Sequence, residues 1–257
     1  IPASGGEARL VAKDPINEIH DVTFSPDSKW LSFSTTRDHS RRELHLYEIA
    51  VSQDRVISRP ENSDHDPAFT PDGKYLAFIS ERHELPAFSD SEFNIATVKS
   101  SGIYLATLQA DTPSPFAPRS DEGAVTPAAS GDAGPGKKAA DASASHHDAS
   151  ADSRNPNAGV LHIDVDGLIE RAVPLPIPPA HIDAMDVRGN TVFYQTSGIP
   201  LIEGQVPGEK AVLHAYDLTA RKDETVVDGL SSYVLSRDGK RVLFKQDKDW
   251  HITDAKP

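Results

Sequence analysis

A short phrase occurs twice in the chain almost unchanged, as Asp21-Val-Thr-Phe-Ser-Pro-Asp-Ser-Lys-Trp-Leu-Ser-Phe-Ser34 and as Asp66-Pro-Ala-Phe-Thr-Pro-Asp-Gly-Lys-Tyr-Leu-Ala-Phe-Ile-Ser80. Its matching aspartates, Asp27 and Asp72, stand 45 residues apart. A period of that size belongs to supersecondary units that stack as propeller blades. Each copy reads as a hairpin. An apolar strand ends at Phe24 or Phe69, Pro-Asp-Gly/Ser-Lys turns the chain, and an aromatic strand starts at Trp30 or Tyr75.

Two weaker copies, Ala184-Met-Asp-Val-Arg-Gly-Asn-Thr-Val-Phe-Tyr-Gln195 and Tyr233-Val-Leu-Ser-Arg-Asp-Gly-Lys-Arg-Val-Leu-Phe244, keep the turn and the aromatic strand, with Gly189 and Gly239 50 residues apart. A second strand pair follows the hairpins, as residues 43–49 with 55–57 and 211–218 with 224–227. Four strands per unit is the blade pattern. The expectation is an all-β fold, a partial β-propeller of about four blades, each a four-stranded antiparallel sheet, with repeats near 13–58, 64–178, 182–228 and 230–257. The residues at the turns read structurally. An Asp side chain accepts bonds from backbone amides two positions on, so Asp27, Asp72 and Asp238 should hold hairpins.

Composition fits many short strands with busy turns: 257 residues carry 20 prolines and 37% hydrophobic side chains. The 26 basic and 39 acidic residues give a formal charge of −13, with no Lys/Arg run interleaved with aromatics. No nucleic-acid or membrane partner is expected of such a surface. The absence of cysteine removes disulfides, thiolate chemistry and Cys-ligated metal centres. No apolar run approaches the ~20 residues of a membrane helix, and the first residues lack a signal-peptide pattern. Residues 8–12 read as the outer strand of a preceding blade, so the chain is expected to begin inside a larger protein.

The gap between the second and third hairpins holds a tract, residues 121–158, made of Ala, Ser, Gly, Asp and Pro with almost no large apolar side chain. Such a tract cannot offset its ordering entropy, and a disordered loop inserted in the second blade is expected. Residues 102–108 should enter it as a strand, and residues 160–171 should leave it as a hairpin turning at Asp166-Gly167.

Candidate chemistry is sparse. Gly131-Asp-Ala-Gly-Pro-Gly-Lys-Lys138 resembles a phosphate-binding loop, but Lys138 stands where Ser or Thr should meet magnesium, and no strand and helix flank it. His146-His147 lacks a third ligand, and Asp164-Val-Asp-Gly167 lacks the later acidic positions of a calcium loop. His83-Glu84 starts no zinc-protease motif, because position 87 is alanine, and no Gly-x-Ser-x-Gly elbow occurs. His20, His45, His162 and His214 fall in or beside strands, where half-buried structural roles are expected. No catalytic residue, cofactor site or metal site is assigned, and no substrate-binding residue is singled out.

The Ser-Pro-Asp-Gly-Lys-x-Leu-Ala-Phe phrase is similar to the propellers of TolB-like proteins and of prolyl-oligopeptidase relatives. More specific are residues 103–122, beginning Ile103-Tyr-Leu-Ala-Thr-Leu, and residues 163–178, beginning Ile163-Asp-Val-Asp-Gly-Leu-Ile-Glu-Arg. Together they resemble the second, seven-bladed propeller of the tricorn proteases, including bacterial homologues with a low-complexity insert between these stretches. The resemblance spans most of the chain and is strongest over residues 21–178. It implies a ring of seven blades, of which about four lie here. It also implies a parent serine peptidase with two propellers, a PDZ-like domain and a core that forms a large homo-oligomer. The family's catalytic residues lie in the core after the second propeller, and none maps onto this sequence, which is expected to stop just before that core.

On this reading the partners are peptide substrates together with the peptidase core and the other propeller of the same chain. The segment is a non-catalytic filter or route for extended peptides through a channel lined near residues 21–24, 66–69 and 184–187. A cytoplasmic location is expected, with the periplasm as the alternative. The competing readings are a TolB-like protein-binding module and the propeller of a prolyl-oligopeptidase-type hydrolase.

Overall fold

The computed structural model describes residues 5–38, 41–83, 86–88, 95–97, 100–118, 161–198, 200–201, 204–205 and 210–256. The expected insert, with its Gly131–Lys138 stretch and His146-His147, and also Glu84, lie outside the described residues.

Four antiparallel sheets follow one another along the chain. The first contains β1 (Thr23–Phe24), β2 (Trp30–Thr36), β3 (Arg42–Glu48) and β4 (Gln53–Val56), in that order across the sheet. The second is ordered β5 (Ser63–Phe69), β6 (Tyr75–Glu81), β9 (Ser101–Thr107) and β10 (Ala172–Pro174), with a hairpin of β7 (Pro86–Phe88) and β8 (Ile95–Thr97) projecting between β6 and β9. In the third, β11 (His181–Arg188), β12 (Thr191–Ser197), β15 (Val212–Asp217) and β16 (Lys222–Asp228) repeat the plan, with a hairpin of β13 (Pro200–Leu201) and β14 (Gly204–Gln205) at the matching point. The fourth sheet has three strands, β17 (Ser232–Leu235), β18 (Arg241–Gln246) and β19 (Asp249–Asp254). The protein is an all-β, propeller-like fold.

Local chemistry explains the repeated turn. In each of three copies a hydroxyl two residues before the aspartate donates to it: Ser25 to Asp27 at 2.7 Å, Thr70 to Asp72 at 2.6 Å and Ser236 to Asp238 at 2.6 Å. The same hydroxyl accepts the amide that opens the next strand, from Trp30, Tyr75 and Arg241, at 3.0 Å in each case. The aspartate in turn accepts the lysine amide two positions on, at 3.2, 3.1 and 3.1 Å. The residue after the aspartate is left-handed in each copy, with φ of 59° at Ser28, 69° at Gly73 and 68° at Gly239. Glycine adopts that conformation without strain, whereas Ser28 does so at a cost.

Asp27 has one partner that its two counterparts lack, the Leu161 amide at 2.9 Å, which ties the return from the insert to the first blade. Burial alone would raise the Asp27 pKa, but the Ser25 hydroxyl and the Leu161 and Lys29 amides outweigh it and hold the carboxyl below its ordinary 3.8. A carboxyl depressed in the folded state adds stability above its unfolded pKa and loses it as pH falls through the folded value. The wild-type protein should therefore lose stability as pH drops below 3.8, and Asp27→Asn should flatten that acid limb. Urea midpoints measured across the range check this, and parallel acid limbs in the two proteins would contradict it.

Because side chains alternate across a strand, the second and third sheets each pack on both neighbours. On β6, Leu76 and Phe78 join Trp30, Leu44 and Leu46 of the first sheet in one core, while Ala77 and Ile79 join Val187, Val192 and Tyr194 of the third in the next. A third core joins Phe193, Leu213 and Ala215 to Leu235 and Val242 of the fourth sheet. The first and fourth sheets share no such core among the described residues.

Three expectations are corrected. Residues 8–12 form no strand. Residues 5–20 instead lie across the outer face of the first sheet, with Val11, Ala12 and Ile19 packed on Leu31, Phe33 and Tyr47. Arg9 bonds the Ser52 hydroxyl at 2.6 Å, and Asp14 accepts the Thr36 amide at 2.6 Å. Such side-chain partners replace a ladder. Asp166-Gly167 does not close a hairpin: the chain enters a 3₁₀ turn, Ile169–Arg171, and then pairs as β10 against β9. Arg171 holds that turn by donating to the carbonyls of Thr107 and Asp166 at 3.2 and 3.0 Å. The fourth blade has three described strands rather than four. The strand aromatics Phe33, Phe78 and Phe193 are all buried.

The unprotected face consists of other residues. Val234 lies opposite Leu243 and Leu243 opposite Ile252, so the three form one cross-strand row. They are 60%, 40% and 68% exposed, and Trp250, on the same face, is 55% exposed.

Candidate functional site

The innermost strands β1, β5 and β11 converge on one open cavity of about 320 Å³, bordered by residues 21–23, 66–69 and 185–188. These overlap the segments expected from sequence to line a channel, without Phe24 in the first blade and shifted by one residue in the third. Their positions follow from the repeated hairpin, which places the residues before each turn on the innermost strand of its blade.

Asp21 organises the wall between the first two blades. Its nearly buried carboxylate accepts the Ser34 amide at 3.1 Å, the Ser34 hydroxyl at 2.5 Å and, from the next blade, the Asp66 amide at 2.9 Å. The Arg42 guanidinium lies 3.5 Å away. Asp66 sits in the left-handed region at φ 49° and is followed by Pro67, within an irregularity that separates the pairs His65–Ile79 and Ala68–Ala77. Its carboxylate meets His65 Nδ1 at 2.8 Å. On β11, Arg188 grips Asp186 with both guanidinium nitrogens, at 2.5 and 3.2 Å. Burial nevertheless pushes the Asp186 carboxyl up, with Arg188 only partly offsetting it. Burial, and then Asp186 itself, also push up the phenol of Tyr233 on β17. Each wall carboxylate thus has a donor of its own.

Two blades repeat a Thr-His-Asp constellation. His45 Nε2 lies 2.9 Å from the Thr35 hydroxyl and Nδ1 2.9 Å from Asp54, and the ring stacks on Phe33 at 4.9 Å. In the third blade His214 lies 3.4 Å from Thr196 and 3.6 Å from Asp223, and stacks on Tyr194 at 4.8 Å. The arrangement has the connectivity of a nucleophile, base and orienting acid. Thr35, however, is 5% exposed, which leaves no room for a substrate carbonyl. Recurrence at the same place in two sheets marks a structural clamp that pins each outermost strand through its aspartate. Among the other histidines read as half-buried, His20 and His162 are exposed instead.

Sequence reasoning missed this clamp, although a signal existed. Leu44-His-Leu-Tyr47 and Leu213-His-Ala-Tyr216 match, and in both an aspartate follows the histidine by nine residues. Among the described residues, no group of three or more His, Asp or Glu side chains is placed to hold a metal ion, and no helix is long and apolar enough to cross a membrane. With no exposed activated hydroxyl among those described, the isolated chain should not react with a serine-directed fluorophosphonate probe. Stoichiometric labelling of one serine, abolished by unfolding, would contradict that.

Comparison with known proteins agrees with this architecture. Tricorn protease homolog 1 of Streptomyces coelicolor is 28% identical over 96% of this chain, which spans 22% of that relative's length. A crystal structure of the tricorn protease superposes with a TM-score of 0.68 at 19% identity, over 97% of this chain and 22% of that one. TolB from Acinetobacter baumannii gives a TM-score of 0.51 at 14% identity, over 98% of this chain and 45% of that one. At such identities the two structures speak for the fold alone. The family model described as the tricorn protease second beta propeller domain matches residues 1–256, and the chain belongs to that family.

Proposed function

We propose that this chain is the non-catalytic propeller portion of a tricorn-type serine peptidase, and that its inner strands form part of a route by which extended peptides reach a proteolytic core outside these residues. In this reading its partners are the peptide, that core and the other propeller of the same protein. The observation that carries the proposal is the convergence of three successive blades on one open cavity at residues 21–23, 66–69 and 185–188. Among the described residues no wall hydroxyl is paired with a base, so the contribution of these blades is selection by width and contact.

Obstruction tests the reading. In the full-length protein, Thr23→Trp and Ala68→Trp add bulk at two positions on the cavity wall. Degradation of a long unstructured peptide should slow at least tenfold, while a short fluorogenic substrate should be cleaved at the wild-type rate. Equal rates for long and short substrates in wild type and variants would overturn the proposal.

A further inference from the structure

A peptide passing an open sheet edge meets a ready template, since an unpaired strand offers alternating amides and carbonyls to any extended chain. The innermost strands of this protein are such edges: β1, β5, β11 and β17 each lie at the end of their sheet. A route built from sticky edges would trap its cargo.

Each edge is blunted, by shortness or by irregular pairing and capped backbone groups. β1 is two residues long and β17 four. On β5 the Asp66 amide is already bonded across the blade seam to Asp21 at 2.9 Å, and Pro67 has no amide to offer. The local irregularity and the left-handed Asp66 also break the strand's straight run. On β11 the pairing slips between Ile182 and Ala184, and the Val187 carbonyl is taken by the Arg188 guanidinium at 3.0 Å. No inner edge presents an uninterrupted ladder. Pro67 and the bonds from Asp66 to Asp21 and from Arg188 to Val187 all fall on the cavity wall.

We infer that this wall is built to let extended peptides slide past without strand addition, and that Asp21, Asp66, Pro67 and Arg188 are the residues that keep its edges from capturing them. The substrate class this favours is any unfolded chain regardless of its backbone hydrogen-bonding capacity, with contact made through side chains. This rests on the routing proposal above.

The experiment uses the full-length protein with its peptidase blocked by a serine-directed inhibitor and a photo-cross-linking benzoylphenylalanine at Thr23. Two decapeptides of one Val/Thr-rich sequence are compared, the second N-methylated at alternate amides so that it cannot add to a sheet. Cross-linking yields should agree within twofold in the wild-type background. In Pro67→Val, which returns an amide to the β5 edge, the unmethylated peptide should be favoured at least fivefold. Asp21→Asn serves as a second variant, because it weakens the cap on Asp66 without changing side-chain volume, and it should shift the ratio the same way. A tenfold preference for the unmethylated peptide in the wild-type background would overturn the inference. So would an unchanged ratio in both variants when their circular dichroism matches wild type. Cross-links to neither peptide would remove the routing proposal and this inference with it, whereas cross-links with the wrong methylation pattern would remove the inference alone.

Discussion

Replacing Phe78 by alanine should cost about 3–5 kcal/mol, the range for removing a fully buried phenylalanine. Phe78 is 0% exposed at the centre of the core between the first and second sheets. Its ring stacks on Tyr104 at 5.9 Å, and the Arg82 guanidinium lies 5.7 Å from its centroid. Little around it can collapse into the void, because the facing residues Leu44 and Leu46 belong to a separate strand ladder that fixes their backbone. Urea denaturation of the variant should show a much lower midpoint. A loss below ~1 kcal/mol would be typical of a surface site, and would mean that the two sheets are not packed as described.

Gly239→Val should be nearly as damaging, for a reason that is local rather than a matter of lost area. The residue has φ 68°, where a β-branched side chain is strained, and a Cβ built there would lie 2.6 Å from the Arg188 Cβ of the third blade. Strain of about 1–2 kcal/mol combines with a clash that must push the fourth sheet from the third, of the order of 1–3 kcal/mol for overpacking. Gly189→Val isolates the clash. It sits at φ 57° with nothing within 4 Å of the added atom, so it should suffer only the conformational strain. Equal losses in the two variants would show that the blade contact at Gly239 has been misjudged.

Much of the fold was legible because its strongest determinants are local. The Ser/Thr-Pro-Asp-Gly/Ser-Lys turn satisfies its own hydroxyl, carboxylate and amides within six residues, so the phrase specifies the hairpin wherever it occurs. The alternation of Leu76, Ala77, Phe78 and Ile79 then assigns each side chain to one neighbouring blade. Local determinants also explain why the inner segments could be named in advance, since they are the residues that precede each turn.

What escaped the sequence depends on partners distant along the chain. Residues 8–12 have a strand-like apolar pattern, but whether they pair is decided by Ser52, Ile49 and Thr36, which take up the polar groups of residues 9–17. The Asp166-Gly167 turn has hairpin chemistry, yet Arg171 closes the following turn on the carbonyls of Thr107 and Asp166. At the candidate site the same limit applies. The bonds from Asp66 to Asp21 and from Arg188 to Asp186 define the wall. The first joins residues 45 apart in sequence, and no local pattern announces it.

These four sheets are expected to form an open arc of a larger ring. Among the described residues the first and fourth sheets share no core, and the row of Val234, Leu243 and Ile252 with Trp250 is exposed. Burying a side chain of this kind is worth about 1.5–3 kcal/mol, so four wet ones forfeit much of a marginal stability of about 5–15 kcal/mol. Light scattering on the isolated 257-residue chain tests this most directly. Self-association at micromolar concentration is expected, relieved by Leu243→Lys with Ile252→Lys. A monodisperse monomer that melts cooperatively without those substitutions would mean that the arc is stable on its own, and would contradict the claim.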